Sequence, residues 1–401
     1  MTLGQVIRTA YRTALPQSIR IAVRRVGSIQ RLMDGQPLFP VVAVDVPSST
    51  AAAILRSRRF GITPERHALM ASHTPLISLN MGQNCSHGCV YCVSHMDDRK
   101  KRSGYLEEIG WAEYGRQLLR LAGDAKVTYN FAGPGECAEH EHFPELVQLL
   151  LNAGHWIWIQ THGLSSKSIA RALNAFPKEL VSRKVNFHLS FHIAAYLDDK
   201  DDRRLRAYLD KHLATIASFG CITCIIVPMS PKVLAWPRFE ESMDLIASIC
   251  KERGARFIPS LVEFHGPYEG RHYPDDYTNE EQLRLSELMA KYGNPSRGTM
   301  AGDEAVIVGD SLMLRAMPCY AKALITEVNG DGSLRHCQSD PEDNFGHLRD
   351  AEGLTKDPKA HPCPFDRCLC VSVGYNMSLA PNGVSFKEYA DEIKRVDLRI
   401  R

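Results

Sequence analysis

The sequence predicts an α/β fold in which strands and helices alternate along the middle of the chain. Two observations support this: six short runs of β-branched and apolar residues, and six segments between or after them with helical periodicity. The predicted strands are 76–81, 126–131, 155–161, 185–192, 221–228 and 255–264. The predicted helices are 107–122, 140–153, 166–175, 200–218, 238–253 and 279–292. Such alternation favours parallel βαβ units, arranged as an open twisted sheet or as a full or partial barrel.

The fourth predicted strand bears on the choice between these architectures. Side chains alternate along a strand, and here one face is apolar and the other polar. The apolar face holds Val185, Phe187, Leu189 and Phe191, and the polar face holds Asn186, His188, Ser190 and His192. A doubly wound sheet should be apolar on both faces, whereas a polar inner face suits a barrel that encloses an active site. A partly exposed edge strand is the alternative.

Composition excludes several classes of protein. The chain has 401 residues, of which 44% are hydrophobic and 23% charged, so it is too apolar to be disordered. Its 48 Lys and Arg residues are balanced by 46 Asp and Glu residues, which argues against a surface that binds nucleic acid. No stretch has the apolar length of a membrane span and no secretory segment is recognisable, so we expect a cytoplasmic protein.

The two ends of the chain differ from the βα region. Residues 1–31 contain six arginines and no acidic residue, which indicates a basic helix that packs on the main domain, contacts an anionic surface or acts as a targeting signal. A turn at 329–332 predicts a β-hairpin flanked by cysteines. We expect four regions: a basic N-terminal extension (1–74), the βα domain (75–295), a small cysteine-rich β-hairpin domain (296–384) and a C-terminal helix (385–401).

The first cysteine cluster directly follows the first predicted strand. Cys85, Cys89 and Cys92 have the spacing C-x3-C-x2-C, and they lie on the side of the sheet where parallel α/β proteins carry their active sites. Three thiolates can bind three irons of a [4Fe–4S] cluster and leave the fourth iron open to a ligand with amine and carboxylate groups. Because His95 lies three residues beyond Cys92, a Cys3His zinc site is the alternative.

A second cysteine cluster surrounds the predicted hairpin. Its members are Cys319, Cys337, Cys363, Cys368 and Cys370. A hairpin brings its two ends together, so Cys319 and Cys337 are expected within reach of one metal, and a zinc ribbon is one interpretation. The cysteines at 221, 224 and 250 lie in an apolar strand and a helix, where we expect them to pack in the core.

The first cluster resembles the motif of the radical S-adenosylmethionine (SAM) superfamily. The likeness consists of the cysteine spacing, the aromatic Tyr91 before the third cysteine, and six βα units from about 76 to 292. It implies a partial (β/α)6 TIM-like barrel and a [4Fe–4S] cluster on Cys85, Cys89 and Cys92 that reduces bound SAM to methionine and a 5′-deoxyadenosyl radical. It also implies contact of the main chain around Tyr91 with adenine, and an electron-donor protein such as a flavodoxin or ferredoxin.

Other positions match the superfamily's cofactor-binding elements. Gly133, Gly135 and Glu136 are similar to a glycine-rich element that binds the methionyl amine of SAM. Thr161 opens a Thr-His-Gly sequence similar to a Thr-Asn-Gly element, and Ser190 resembles a serine that contacts the cofactor from the fourth strand.

Candidate catalytic residues are less sharply defined. His192 occupies a position where relatives carry Asp, and His188, His162 and His265 also fall near predicted strand ends, so we expect at least one of the four in a substrate pocket. Cys137 follows the glycine-rich element and either packs in the core or delivers a hydrogen atom to a substrate radical, as in some radical epimerases.

The hairpin and its cysteines resemble the SPASM/twitch extension of radical SAM enzymes, which binds auxiliary [4Fe–4S] clusters. The segment 345–348 (Phe-Gly-His-Leu) is part of this likeness. The full SPASM pattern has seven cysteines, and the five present here favour the twitch form with one auxiliary cluster. The resemblance implies Cys319, Cys337 and Cys363 as ligands, with either Cys368 or Cys370 as the fourth.

These observations lead to one main hypothesis and two alternatives. The main hypothesis is a radical SAM oxidoreductase that abstracts a hydrogen atom from a polar small molecule, such as a sugar or aminocyclitol, in a dehydrogenation or epimerisation. The first alternative is a radical SAM maturase that crosslinks or epimerises a ribosomal peptide. The second is a zinc-binding interaction module in which zinc closes both cysteine clusters, a reading that the balanced charge disfavours.

Overall fold

The computed structural model of the protein describes residues 75–81, 85–86, 104–133, 135–193, 202–260, 262, 270–271, 273, 276–292, 318–319, 321–337, 340, 342–354 and 361–362. The predicted N-terminal extension and C-terminal helix lie outside these residues. The boundaries of the four regions expected from the sequence therefore stay predictions.

All six predicted strands are present in the structure. They are β1 (Leu76–Asn80), β2 (Thr128–Ala132), β3 (Trp156–Thr161), β4 (Val185–Ser190), β5 (Ile222–Pro228) and β6 (Arg256–Ser260). Each pairs in parallel with the next strand along the chain. This order never reverses, whereas a doubly wound sheet reverses its strand order at a switch point. The described sheet is therefore a singly wound α/β sheet.

The six predicted helices are also confirmed, and further short ones accompany them. The helices are α1 (Tyr105–Ile109), α2 (Trp111–Ala122), α3 (Phe143–Asn152), α4 (Ser166–Leu173), α5 (Lys178–Lys184), α6 (Asp202–Ala217), α7 (Pro231–Leu234), α8 (Phe239–Glu252) and α9 (Asn279–Tyr292). Gly110, with φ +78°, divides the first predicted helix into α1 and α2. The sequence did not predict α5, because Val181 is its single buried residue and no apolar periodicity marks it.

The predicted hairpin joins the same sheet. After β7 (Pro318–Cys319) and the short helix α10 (Ala321–Leu324), its strands are β8 (Ile325–Val328) and β9 (Ser333–Arg335), followed by β10 (Gly346–His347) and β11 (His361–Pro362). β8 pairs in parallel with β1, so the nine-stranded order is β10-β9-β8-β1-β2-β3-β4-β5-β6. Among the described residues this sheet is open, and β7 with β11 forms a separate antiparallel pair.

The two faces of the sheet have opposite character, as the fourth strand predicted. The four apolar side chains of that strand, at 185, 187, 189 and 191, have no exposed surface. The other face, called the polar face below, includes Ser78, Asn130, Trp158, Gln160, Asn186, His188 and Ser190. Several of these are partly exposed, and helices cover the apolar face, as Phe143 of α3 does where its ring packs 5.3 Å from that of Phe131. The sheet thus has one apolar face under the helices and one face whose polar side chains suit a site.

The tip of the hairpin packs against the start of α1. The backbone N–H of Tyr105 donates to the carbonyl of Gly330 at 2.8 Å, and the Tyr105 ring contacts His347 edge-on with 4.6 Å between centroids. Gly332 has φ +84°, and a Cβ there would lie 2.6 Å from a ring atom of His347 and 2.7 Å from the Tyr105 ring. Only glycine fits this position without displacing its neighbours.

No helix in the described part of the chain has the length and apolar character that a membrane crossing requires.

Replacing Gly332 with alanine should destabilise the protein more than the same change at Gly353. Both glycines have left-handed φ angles, +84° and +80°, so each alanine costs about 1–2 kcal/mol in backbone strain. A Cβ at Gly353 meets nothing within 4 Å, whereas overpacking at Gly332 should add about 1–3 kcal/mol. Urea unfolding followed by circular dichroism measures both variants. Equal destabilisation would contradict the packing of the hairpin tip on α1.

Candidate active site

The carboxyl ends of the parallel strands bring together residues that are far apart in the sequence. Cys85 follows β1, the turn 133–140 follows β2, His162 follows β3 and His192 follows β4. Because β8 runs parallel to β1, the hairpin tip 329–332 lies at the same edge of the sheet. This is the edge at which parallel α/β proteins carry their active sites.

The first cysteine cluster is only partly within the described residues. Cys85 is partly exposed and its thiol is in no disulfide. Cys89, Cys92 and Tyr91 lie outside the described residues, so their assigned roles stay predictions. The described part of the chain holds no group of three or more His, Cys, Asp or Glu side chains placed to bind a metal ion.

The two glycines of the Gly-Pro-Gly sequence have backbone conformations that favour glycine. Gly133 has φ +105° and Gly135 has φ +96°. A Cβ on Gly133 would lie 3.0 Å from the Cα of Asn80, the last residue of β1. The turn after β2 therefore lies close to the end of β1, the strand that Cys85 follows.

Glu136 is a buried carboxylate that connects the ends of β2 and β3. Only 3% of its surface is exposed. Its Oε2 accepts from the backbone N–H of His162 at 2.8 Å, its Oε1 accepts from the N–H of Ala138 at 3.2 Å, and its side chain also hydrogen-bonds Thr161. Burial raises the pKa of Glu136, while His162 and these hydrogen bonds oppose the rise. Two predicted cofactor-binding residues, Glu136 and Thr161, thus lie in contact.

His162 contacts two carboxylates. Its ring Nδ1 accepts from the N–H of Leu164 at 3.0 Å, so in the neutral ring Nε2 carries the proton. Nε2 lies 3.1 Å from Oε1 of Glu139 and 3.4 Å from Oε2 of Glu136. With 4% of its surface exposed, the side chain of His162 is part of a buried hydrogen-bond network.

Glu139 is a site residue that the sequence did not reveal. Its Oε2 accepts from the backbone N–H of Ser86 at 2.9 Å, and its Oε1 accepts from the Ser86 hydroxyl. It lies three residues after Glu136, at the end of a 3-10 turn (Cys137–Glu139). A charged residue in a loop carries no periodic signal, and its partner lies 53 residues away in the sequence, so only the fold brings the two together.

Cys137 has a buried thiol with backbone partners. Only 4% of its surface is exposed, and its Sγ lies 3.3 Å from the carbonyl oxygen of Gln160 and 3.6 Å from that of Phe131. Burial raises the pKa of this thiol well above its usual range. These contacts favour packing, although a role in hydrogen-atom transfer stays a prediction. The cysteines at 221, 224 and 250 are buried and reduced, as expected.

The predicted catalytic histidines lie on or beside the polar face. His188, 8% exposed, packs edge-on against Trp158 with 4.3 Å between ring centroids. His192 and Ser190 are partly exposed at the carboxyl end of β4. His265 lies outside the described residues, and the roles of the other two histidines stay predictions.

A row of uncharged polar side chains also crosses this face. The Asn130 amide donates to the hydroxyl of Ser78 at 3.3 Å, and the Gln160 amide donates to the Asn130 oxygen at 3.2 Å. These residues are not among the site residues predicted from the sequence. The alternation of Ser78 and Asn130 with apolar neighbours was the available signal.

One member of the second cysteine cluster, Cys337, lies towards the opposite edge of the sheet. Cys337 follows β9 and lies beside the amino end of β8, since the ring of its neighbour His336 lies 2.8 Å from the carbonyl oxygen of Ile325. The backbone N–H groups of His336 and Cys337 both donate to Asp343 Oδ2, at 2.7 and 2.6 Å. Cys337 is partly exposed, and its main chain is fixed by this carboxylate.

The backbone of Cys319 lies opposite that of His361 in the β7–β11 pair. Cys363, Cys368 and Cys370 lie outside the described residues, so the expected fourth ligand is not resolved between the last two.

Comparisons with known proteins give a low-identity likeness. No protein-family model matches the chain, and no curated protein matches it by sequence. Among solved structures, SuiB from Streptococcus suis is 14% identical with a TM-score of 0.45, covering 83% of this chain and 75% of that one. A structure of SuiB bound to S-adenosylmethionine has the same TM-score at 13% identity, with the same coverage. BtrN in complex with AdoMet and 2-DOIA is 14% identical with a TM-score of 0.30, covering 70% and 80% of the two chains. Values this low assign no family.

Thiol alkylation of the metal-free protein should separate Cys85 from Cys137. Burial raises the pKa of Cys137, and it raises the pKa of Cys221 and of Cys250 to about 12, so few of these thiols are ionised at pH 8. Because the thiolate is the nucleophile, we expect them to react with iodoacetamide at least about a hundredfold more slowly than Cys85. Peptide mass spectrometry measures the rates. Labelling of Cys137 as fast as Cys85 would favour an accessible, hydrogen-donating thiol.

Proposed function

We propose that the protein is a radical SAM iron–sulfur enzyme. The observation that carries the proposal is the convergence of three predicted cofactor elements at one edge of the sheet. Cys85 follows β1, Gly133 packs against the end of β1, and Glu136 is hydrogen-bonded to Thr161 at the end of β3. These residues are separated by up to 76 positions in the sequence, and the resemblance assigns all of them to one cofactor.

The donor set fits an iron–sulfur cluster with one open iron. Cys85, Cys89 and Cys92 supply three thiolates, and soft sulfur ligands at a sheet edge that carries active sites suit iron–sulfur chemistry. When bound, such a cluster supplies the electron that cleaves SAM into methionine and a 5′-deoxyadenosyl radical.

The chain's own residues would hold the two ends of SAM. The carboxylate of Glu136 and the glycine turn before it form a site for the methionyl amine, because an acceptor oxygen and a close backbone approach occur together there. Thr161 orients Glu136 by a hydrogen bond. Ser190, at the end of β4, and the main chain around Tyr91 would contact the nucleoside.

The singly wound strand order and the polar face favour a partial (β/α)6 barrel with its polar face inward. In that arrangement the substrate is held on the polar face and away from bulk water, so that the radical meets one hydrogen atom. His188 and His192 are the candidates for accepting a proton, since they lie on or beside this face near the cofactor edge.

The side chains of the polar face favour a neutral, hydroxyl-rich substrate. Ser78, Asn130 and Gln160 form an uncharged hydrogen-bonded row. The indole N–H of Trp158 is buried and has no acceptor among the described residues. An unsatisfied buried donor costs about 1–3 kcal/mol, which an oxygen of a ligand on this face would offset. A sugar or aminocyclitol, dehydrogenated or epimerised, matches this chemistry.

The second cysteine cluster would hold one auxiliary [4Fe–4S] cluster. Cys363 directly follows β11, which pairs with the strand that contains Cys319, and Asp343 fixes the main chain of Cys337. The fourth ligand is Cys368 or Cys370. A cluster there could accept the electron left on a substrate radical, which suits a net oxidation. A flavodoxin or ferredoxin would supply electrons to the first cluster.

Iron analysis and product formation test the proposal together. Anaerobically reconstituted protein should bind about eight irons per chain and, after reduction, convert SAM to 5′-deoxyadenosine. Cys85→Ala combined with Cys89→Ala and Cys92→Ala should remove about four irons and all of the product, whereas Cys319→Ala with Cys337→Ala should remove the other four or so. Cys250→Ala, a change in the core, serves as the control. Colourless protein with stoichiometric zinc would overturn the proposal.

A substrate panel tests the proposed class. Neutral polyols and aminocyclitols should stimulate 5′-deoxyadenosine formation. Gln160→Leu should weaken that stimulation about tenfold, since about 1.4 kcal/mol of hydrogen bonding corresponds to a factor of ten. Gln148→Leu on α3, whose amide contacts a carbonyl 2.9 Å away, is the matched control. Stimulation by peptides in place of polyols would point to the maturase alternative.

A further inference from the structure

We propose that Glu139 is a positioning residue that holds the iron-binding cysteine loop at its base. The inference rests on the proposed function and goes beyond it, because it assigns a role to a residue outside the cysteine motif. Glu139 accepts two hydrogen bonds from Ser86, one from the backbone N–H at 2.9 Å and one from the hydroxyl. Ser86 directly follows Cys85, so the contact fixes the main chain next to the first cysteine.

The carboxylate of Glu139 is held in place before it meets Ser86. It ends the 3-10 turn Cys137–Glu139, which is capped by Glu136, whose Oε1 accepts from the N–H of Ala138. From the other side, Nε2 of His162 donates to Oε1 of Glu139 at 3.1 Å, while its Nδ1 is occupied by the N–H of Leu164. The side chain is about one quarter exposed, at 26%. An ionised acceptor oriented by two strand ends forms stronger hydrogen bonds than a neutral, freely rotating one.

The other end of the cysteine loop is attached to the same turn. Nε2 of His140, the residue after Glu139, lies 3.1 Å from Oε1 of Glu107 in α1. The second oxygen of Glu107 accepts from the N–H of Gly104 at 2.8 Å. Ser86 and Gly104, the described residues nearest the cysteine loop on either side, are therefore both attached to this turn, the first through Glu139 and the second through His140 and Glu107.

A loop closed at its base loses less entropy when its side chains converge on one ligand. Three thiolates of this loop must meet a single cluster, and without the anchor at Ser86 the Cys85 end would have to be ordered at each binding event. Glu139 and Ser86 are not among the residues proposed to contact SAM or substrate. The expected effect of the anchor is therefore on how long the protein retains iron.

Iron retention by the variant Glu139→Gln tests the inference. Under the proposed function, the reduced protein should give an electron paramagnetic resonance signal from the first cluster, and addition of SAM should change that signal. In the presence of an iron chelator, the signal should decay about tenfold faster in Glu139→Gln than in the wild type, because the amide has one acceptor oxygen, whereas the two Ser86 donors each contact a different oxygen of Glu139. Glu141→Gln is the matched control, since the Glu141 carboxylate is 81% exposed and lies 3.6 Å from the ring of the neighbouring His142.

The variant Ser86→Ala tests the same contact from its other side, and it can be measured if Glu139→Gln is unstable. Ser86 is exposed, and the change removes the hydroxyl donor while keeping the backbone N–H, so we expect a smaller acceleration, about threefold. In the double variant the two effects should not add, because both remove the same contact. Wild-type decay rates in both single variants, with the signal absent from Cys85→Ala, would overturn the inference alone. A SAM-responsive signal that survives in Cys85→Ala would overturn the proposed function itself.

Discussion

The buried carboxylate of Glu136 is the interaction on which the candidate site depends. It replaces water with N–H donors from its own turn and from the start of the loop after β3, and it takes a further hydrogen bond from Thr161. Such a group is costly to bury unless these donors are all in place. The ends of β2 and β3 are therefore held in one arrangement, from which Glu139 reaches the cysteine loop.

The sequence predicted the elements well because their signals are local. Alternation in β4 and periodicity in the long helices depend on neighbouring residues, and both predictions hold. The short helix α5 was not predicted, because it buries one residue and therefore shows no apolar stripe in its sequence. The glycines at 133 and 135 were recognised as a binding element, and their positive φ angles give a separate, conformational reason for glycine there.

The contacts that assemble the site could not be predicted in the same way. Ser86 and Glu139 are ordinary polar residues of loops, and their pairing depends on the distance between two strand ends. The row of polar side chains likewise depends on the register of three strands, because the register determines which side chains are neighbours on one face. Its members are Ser78, Asn130 and Gln160. Chemistry-bearing motifs were visible in the sequence, whereas the residues that orient them were visible only in the fold.

The position of the hairpin has a consequence for self-association. β8 occupies the side of β1 that would otherwise present unpaired backbone groups, and on this side the sheet ends, among the described residues, at β10, a strand of two residues. An edge strand this short presents few unpaired backbone N–H and C=O groups to a strand of another molecule. The hairpin therefore shields a five-residue, largely apolar strand that could otherwise recruit another copy of the chain.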